Sequence, residues 1–114
     1  MTLVVVDNGE SIALQLLVNK LATPENVILR LYSNNITPAE TDTAASYTEA
    51  TGGGYGAKTL TGASWTVSGT APTSIGYAEQ TFTFTASIGN VYGYYMTRST
   101  SGDLLWSERF TDGP

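Results

Sequence analysis

The sequence predicts a mainly β fold: an antiparallel β-sandwich, jelly-roll-like, with one N-terminal amphipathic α-helix. Three observations carry that expectation. From Asn26 onward, apolar and polar residues alternate in short runs, the period of strands buried on one face. Turn residues punctuate those runs at Ser33-Asn34-Asn35, Gly89-Asn90 and Ser101-Gly102-Asp103. Helical spacing is clearest in the stretch that follows Asp7. With 114 residues and 12.1 kDa, the chain is sized for a single β-rich domain, 1–114, with a candidate N-terminal arm at 1–6. A folded chain of this mass exposes roughly 6,000 Å² against about 17,500 Å² when extended, enough burial for one modest core.

Met1 to Val6 is an apolar, β-branched run. It reads either as an edge strand of the chain's own sheet or as an arm that adds a strand to a neighbour. Asp7 and Asn8 then offer a helix cap, and Glu10 falls in the first turn, where a negative charge faces the positive end of the helix dipole. Ile12, Leu16, Leu17 and Leu21 recur at helical spacing, broadened by Ala13 and Leu14, and Thr23-Pro24 closes the run. This predicts a helix of about three to four turns packed on the sheet.

Val27 to Tyr32 alternates as a strand. Thr37-Pro38-Ala39-Glu40 has the form of a capping box with proline at the first helical position, so a helical turn is expected toward Ala45. Tyr47–Ala50 reads as a strand leading into Gly52-Gly53-Gly54. Tyr55–Thr61 and Ser64–Ser68 read as two strands joined through Gly62-Ala63, and Gly69–Ser74 as a loop.

The clearest alternation is Glu79–Ala86, where Phe82 and Phe84 oppose Thr81, Thr83 and Thr85. Val91–Arg98 follows, with Tyr92, Tyr94 and Met96 on one face. Leu104–Phe110 comes next, with Leu104, Trp106, Glu108 and Phe110 opposing Leu105, Ser107 and Arg109. Short turns between these three runs predict a meander.

Composition excludes much chemistry. The chain has no histidine and no cysteine, so it cannot build a Ser-His-Asp triad, a Cys-His dyad or a cysteine/histidine zinc site. Ten acidic residues oppose five scattered basic ones, a net charge of −5. No basic stripe exists to displace counterions from nucleic acid or to hold an anionic membrane. The first residues carry no positive flank and no apolar core of signal-peptide length, so a soluble chain is expected.

Gly52-Gly53-Gly54-Tyr55-Gly56-Ala57-Lys58-Thr59 loosely matches a dinucleotide fingerprint. That site needs a following helix to present its N-terminus to the pyrophosphate, whereas Thr59-Leu60-Thr61-Gly62 is strand and turn chemistry. The phosphate-loop pattern fails as well, because Ala57 separates Gly56 from Lys58. A loop whose glycines allow positive φ or close packing explains the segment better. Glu40, Asp42 and Glu49 are too far apart for a compact calcium loop, and paired carboxylates of glycosidase type would have to meet in space. Asn35-Ile36-Thr37 matches a glycosylation triplet but is already explained by a turn and a cap. No catalytic residue, metal ligand or cofactor site is therefore expected.

Seven tyrosines exceed what a small core of Phe82, Phe84, Trp65 and Trp106 would hide, and tyrosine is enriched at protein interfaces. Leu3, Val4, Val5 and Val6 on the N-terminal run are candidate interface residues. So are Gly53, Gly54 and Tyr55 on the glycine loop, and Tyr92 and Tyr94 near the C-terminal strands.

Several segments carry a family resemblance: Leu31–Pro38, Tyr47–Ala50 and Gly53–Leu60, then Gln80–Phe84, Gly89–Tyr95 and Leu104–Phe110. Together they resemble small β-rich structural proteins of tailed bacteriophages, cyanophages among them, and within that group a capsid cement (decoration) protein. The resemblance spans most of the chain and brings no catalytic motif. It implies a virion protein on the capsid exterior, bound to the major capsid protein or to copies of itself and bridging coat subunits. A homo-oligomer on the particle follows from the same likeness. A phage tail structural protein and a carbohydrate-binding β-sandwich are the alternatives.

Overall fold

A computed structural model describes residues 3–20 and 24–113. The protein is mainly β, with antiparallel sheets and one N-terminal helix. Seven strands and the helix follow in order: β1 (Leu3–Val5), α1 (Asp7–Leu17), β2 (Val27–Tyr32), β3 (Lys58–Leu60), β4 (Thr66–Ser68), β5 (Ser74–Gly76), β6 (Gly93–Arg98) and β7 (Leu104–Arg109). Five strands form one antiparallel sheet in the order β1-β7-β6-β2-β3, and β4-β5 is a separate two-stranded hairpin.

β1 pairs with β7, placing Leu3 opposite Glu108 and Val5 opposite Trp106. Leu3–Val5 is thus an edge strand of the chain's own sheet rather than a free arm, while Met1 and Thr2 lie outside the described residues. Val6 then breaks into extended backbone and caps α1 without a side-chain hydrogen bond, so Asp7 stands inside the helix rather than at its cap. The helix ends at Leu17, earlier than the sequence predicts, and Asn19 turns into the left-handed region at φ 56°. Leu21 and Thr23 lie outside the described residues. Gly9 and Ile12 are the buried positions of α1. A Cβ at Gly9 would strike the carbonyl of Leu105, so glycine is what lets the helix approach β7. Leu17, expected against the sheet, is 81 % exposed.

The sheet has two unlike faces. One is covered by residues 36–47 and holds the core cluster of Val6, Tyr32, Tyr47, Tyr95 and Leu104. Tyr47 and Tyr95 stack with ring centroids 5.0 Å apart, and Tyr32 meets Tyr47 edge-on at 4.9 Å. This overturns the expected core. Tyrosines fill the interior, while Phe84 is exposed and Phe82, Trp65 and Trp106 stand on the opposite side. The residues 36–47 hold no helix from Thr37. The capping box forms later, between Thr43 and Ser46, around the short 3-10 turn Ala44–Ser46.

Two strand expectations fail for identifiable reasons. Glu79–Ala86 forms no strand, because β2 occupies the place beside β6 over six residues and no ladder position is left for a meander. Thr85 instead donates to the Gly53 carbonyl at 2.8 Å, and Phe82 stacks on Tyr55 at 5.9 Å. In β7, Met96 opposes Trp106 but Thr97 opposes Leu104, which makes Leu105 the extra residue of a β-bulge. The simple alternation from Leu104 to Phe110 is therefore broken: Leu104 and Ser107 serve the core side and Trp106 the other. The remaining differences are smaller. Tyr47–Ala50 makes one isolated bridge, Tyr32 to Glu49, and β3 and β4 lie in different sheets. Ser74, expected to close the loop Gly69–Ser74, begins the strand Ser74–Gly76.

Candidate binding groove

Because β2, β6 and β7 are in register, their same-side residues converge. Leu29 opposes Met96, which opposes Trp106, and Leu31 opposes Tyr94. These side chains floor an open groove of about 480 Å³ on the face away from the tyrosine core. Trp65 and Tyr77, at the two feet of the β4-β5 hairpin, form one wall, with their rings edge-to-face at 5.0 Å. Phe82, held between Tyr55 and the Lys58 ammonium at 5.4 Å, forms another. Both tryptophans of the chain line this groove.

A second apolar cleft of about 340 Å³ lies between α1 and the sheet edge, lined by Val5, Ile12, Leu16 and Leu105. Trp106 borders both. The polar groups at the groove are few: Gln80, the hydroxyls of Tyr77 and Tyr94, and the indole N–H groups of Trp65 and Trp106. Burial, helped by the Glu108 carboxylate that accepts its hydrogen bond, pushes the Tyr94 phenol up to about 12. It therefore stays a neutral donor at ordinary pH.

The sequence-picked residues scatter. Leu3 and Val5 are partly exposed on edge strand β1, and Val4 is half-buried. Val6 is 0 % exposed and belongs to the core, so it cannot meet a partner. Gly52, Gly53 and Gly54 all take positive φ, and a Cβ on Gly53 would strike Ile88 and the Ala86 carbonyl. The glycine loop thus packs on its own chain. Tyr55 is likewise turned inward, accepting from the Leu31 N–H at 3.1 Å and donating to Glu49 at 2.9 Å. Tyr92 packs against the tyrosine core under the Arg109 guanidinium at 5.1 Å, on the side opposite Tyr94. Only Tyr94 of the nine lines the main groove, and Val5 lines the smaller cleft. Sequence reasoning missed Leu29, Met96, Trp106 and Trp65 as a set. No local pattern in the sequence joins them, since they come together only through the pairing of β6 with β2 and β7.

Of the carboxylates weighed for calcium, Asp42 and Glu49 serve the fold, and so does Glu25, which the sequence reading did not single out. Asp42 accepts from the Ala39 N–H at 2.9 Å and from Tyr47 at 2.8 Å. Glu49 takes Arg30 at 2.8 Å as well as Tyr55. Glu25 takes Arg98 at 2.9 Å and two backbone N–H groups, those of Thr100 and Ser101. Among the described residues, no three acidic side chains gather where they could hold a metal ion. No helix among them is long and apolar enough to cross a membrane. Comparison with protein families, with curated proteins and with solved structures finds no match.

Proposed function

We propose that this protein is a structural binding module that acts by docking rather than by catalysis: a virion decoration protein on the capsid exterior, bridging coat subunits. The observation that carries the reading is the groove. A folded sheet leaves one face lined by two tryptophans, two tyrosines, two phenylalanines and a methionine with few polar groups among them, the composition of an interface centre. The jelly-roll-like sandwich expected from sequence fits here too, with the second layer over this face completed on binding. A net charge of −5 favours an outer position, away from packaged nucleic acid. The resemblance to phage structural proteins supplies the setting, with the major capsid protein or copies of the chain itself as partners.

The test is to separate heads from tails of the source particle and quantify this chain in each. High copy number with heads, lost when shells are stripped, supports decoration, and recovery with tails moves the assignment to a tail component. A second reading rests on the same aromatics. Trp65, Trp106 and Tyr77 could stack on sugar rings, as in a carbohydrate-binding domain. Saturable quenching of tryptophan emission by glycans would favour it over decoration.

A further inference from the structure

The β4-β5 hairpin carries an exposed apolar pair. Val67 stands directly opposite Ile75, and the two are 64 % and 61 % exposed. The hairpin is exposed along its whole length, from Thr66 to Gly76. A lone two-stranded ribbon is marginal in water unless its apolar side is covered. The same molecule carries an open apolar groove whose wall, Trp65 and Tyr77, is the foot of that hairpin.

We propose that the groove of one copy receives the β4-β5 hairpin of a second copy, in a reciprocal exchange that closes a twofold dimer. The inference rests on reading the groove as a docking surface and names its occupant. Three observations favour a second copy. The chain exposes 6966 Å², about 900 Å² more than a folded monomer of this mass should, close to the roughly 800 Å² each partner buries in a stable complex. Two copies each carrying −5 repel, yet the chain has no charged residue from Thr59 to Ala78, so the hairpin enters an apolar groove without opposing like charges. Each hairpin also springs from the rim of its own groove. Seating it in a second copy therefore brings that copy's hairpin back to the first groove, the self-complementary arrangement of a twofold contact.

Sedimentation of the purified chain over a dilution series tests this. The apparent mass is expected to double with concentration and then stop, with tryptophan emission moving to the blue as Trp65 and Trp106 are covered. The doubly substituted V67S/I75S chain, altered only at exposed positions, is expected to stay monomeric. The absence of native cysteine allows a second measurement. Mixed I75C and Q80C chains should form a disulfide-linked heterodimer in greater yield than I75C mixed with L17C, a control on the exposed helix. A wild-type chain monomeric at every concentration, a V67S/I75S chain that associates as well as wild type, or equal cross-linking in the control overturns the exchange. Binding to stripped shells separates this from the decoration reading. A monomeric wild type that still binds shells overturns the exchange alone. A dimer that ignores shells overturns decoration and leaves the exchange standing.

Discussion

The hydroxyls of Tyr47 and Ser107 meet at 2.7 Å in the core, joining the covering segment to the sheet across sixty residues of chain. Tyr47 gives its own proton to Asp42 at 2.8 Å, so Ser107, fully buried, is the donor in that pair.

Removing the Tyr47 hydroxyl leaves Ser107 with a buried, unmatched donor. Tyr47→Phe is expected to cost about 1–3 kcal/mol, read as a lower denaturation midpoint at unchanged slope. Tyr32→Phe is the informative contrast. The Tyr32 hydroxyl is buried with no hydrogen-bond partner among the described residues, so its loss should be neutral or stabilising. Equal losses in the two variants would contradict this assignment.

Gly93 lies under the Tyr32 ring, and a Cβ there would sit 2.6 Å from the Tyr32 hydroxyl and strike the Glu108 carbonyl. Gly93→Ala is expected to destabilise by about 1–3 kcal/mol, through overpacking against backbone that cannot give way. Gly56→Ala, with open space at the same position, serves as control and should shift the midpoint little.

Acid weakens the β6-β7 turn through Glu25. Its carboxyl is held below its ordinary 4.5 chiefly by the Ser101 N–H; partial desolvation opposes this, while the Thr100 N–H and the Arg98 charge add to it. A lowered folded value means the unfolded chain binds the proton more readily. The stabilisation is therefore whole above the unfolded value and lost as pH falls through the folded one. Glu25→Gln should flatten the acid limb of a stability–pH curve while leaving the tyrosine core intact. An unchanged acid limb would remove Glu25 from this role.

The alkaline limb has the opposite sign. Burial raises the phenols of Tyr32, Tyr47, Tyr55, Tyr94 and Tyr95 above the ordinary 10.0, Tyr94 to about 12. Their contribution is complete below the unfolded value and lost as pH rises through the folded ones. Tyrosinate absorbance should therefore show a late, cooperative rise that coincides with unfolding. A rise completed before unfolding would show these phenols to be accessible.

The helix start, β2, β6, β7 and the strained glycines were legible in the sequence because each follows from local spacing or a backbone need. Phe82 and Phe84 misled, since their alternation with threonine is genuine but the neighbouring ladder belongs to β2. No local pattern announces which strand wins that place. The bulge at Leu105 was equally silent, and it reassigned Leu104 to the core. The polar tip of tyrosine suits an interface, yet the hydroxyls of Tyr47 and Tyr55 find partners within the fold. The groove could not be seen because its floor draws on three strands whose register only the fold defines.

The strand order also sets a timetable. β1 leaves the ribosome well before β7, its one ladder partner among the described residues, because every other strand of the sheet lies between them in the chain. Until β7 is made the Leu3–Val5 strand has no mate, and the loop that must close to supply one contains all the other strands. Such non-local pairing slows folding and leaves a β-branched strand open to neighbours on the same message. The edge that completes the sheet is thus also a point at which the nascent chain is exposed to aggregation.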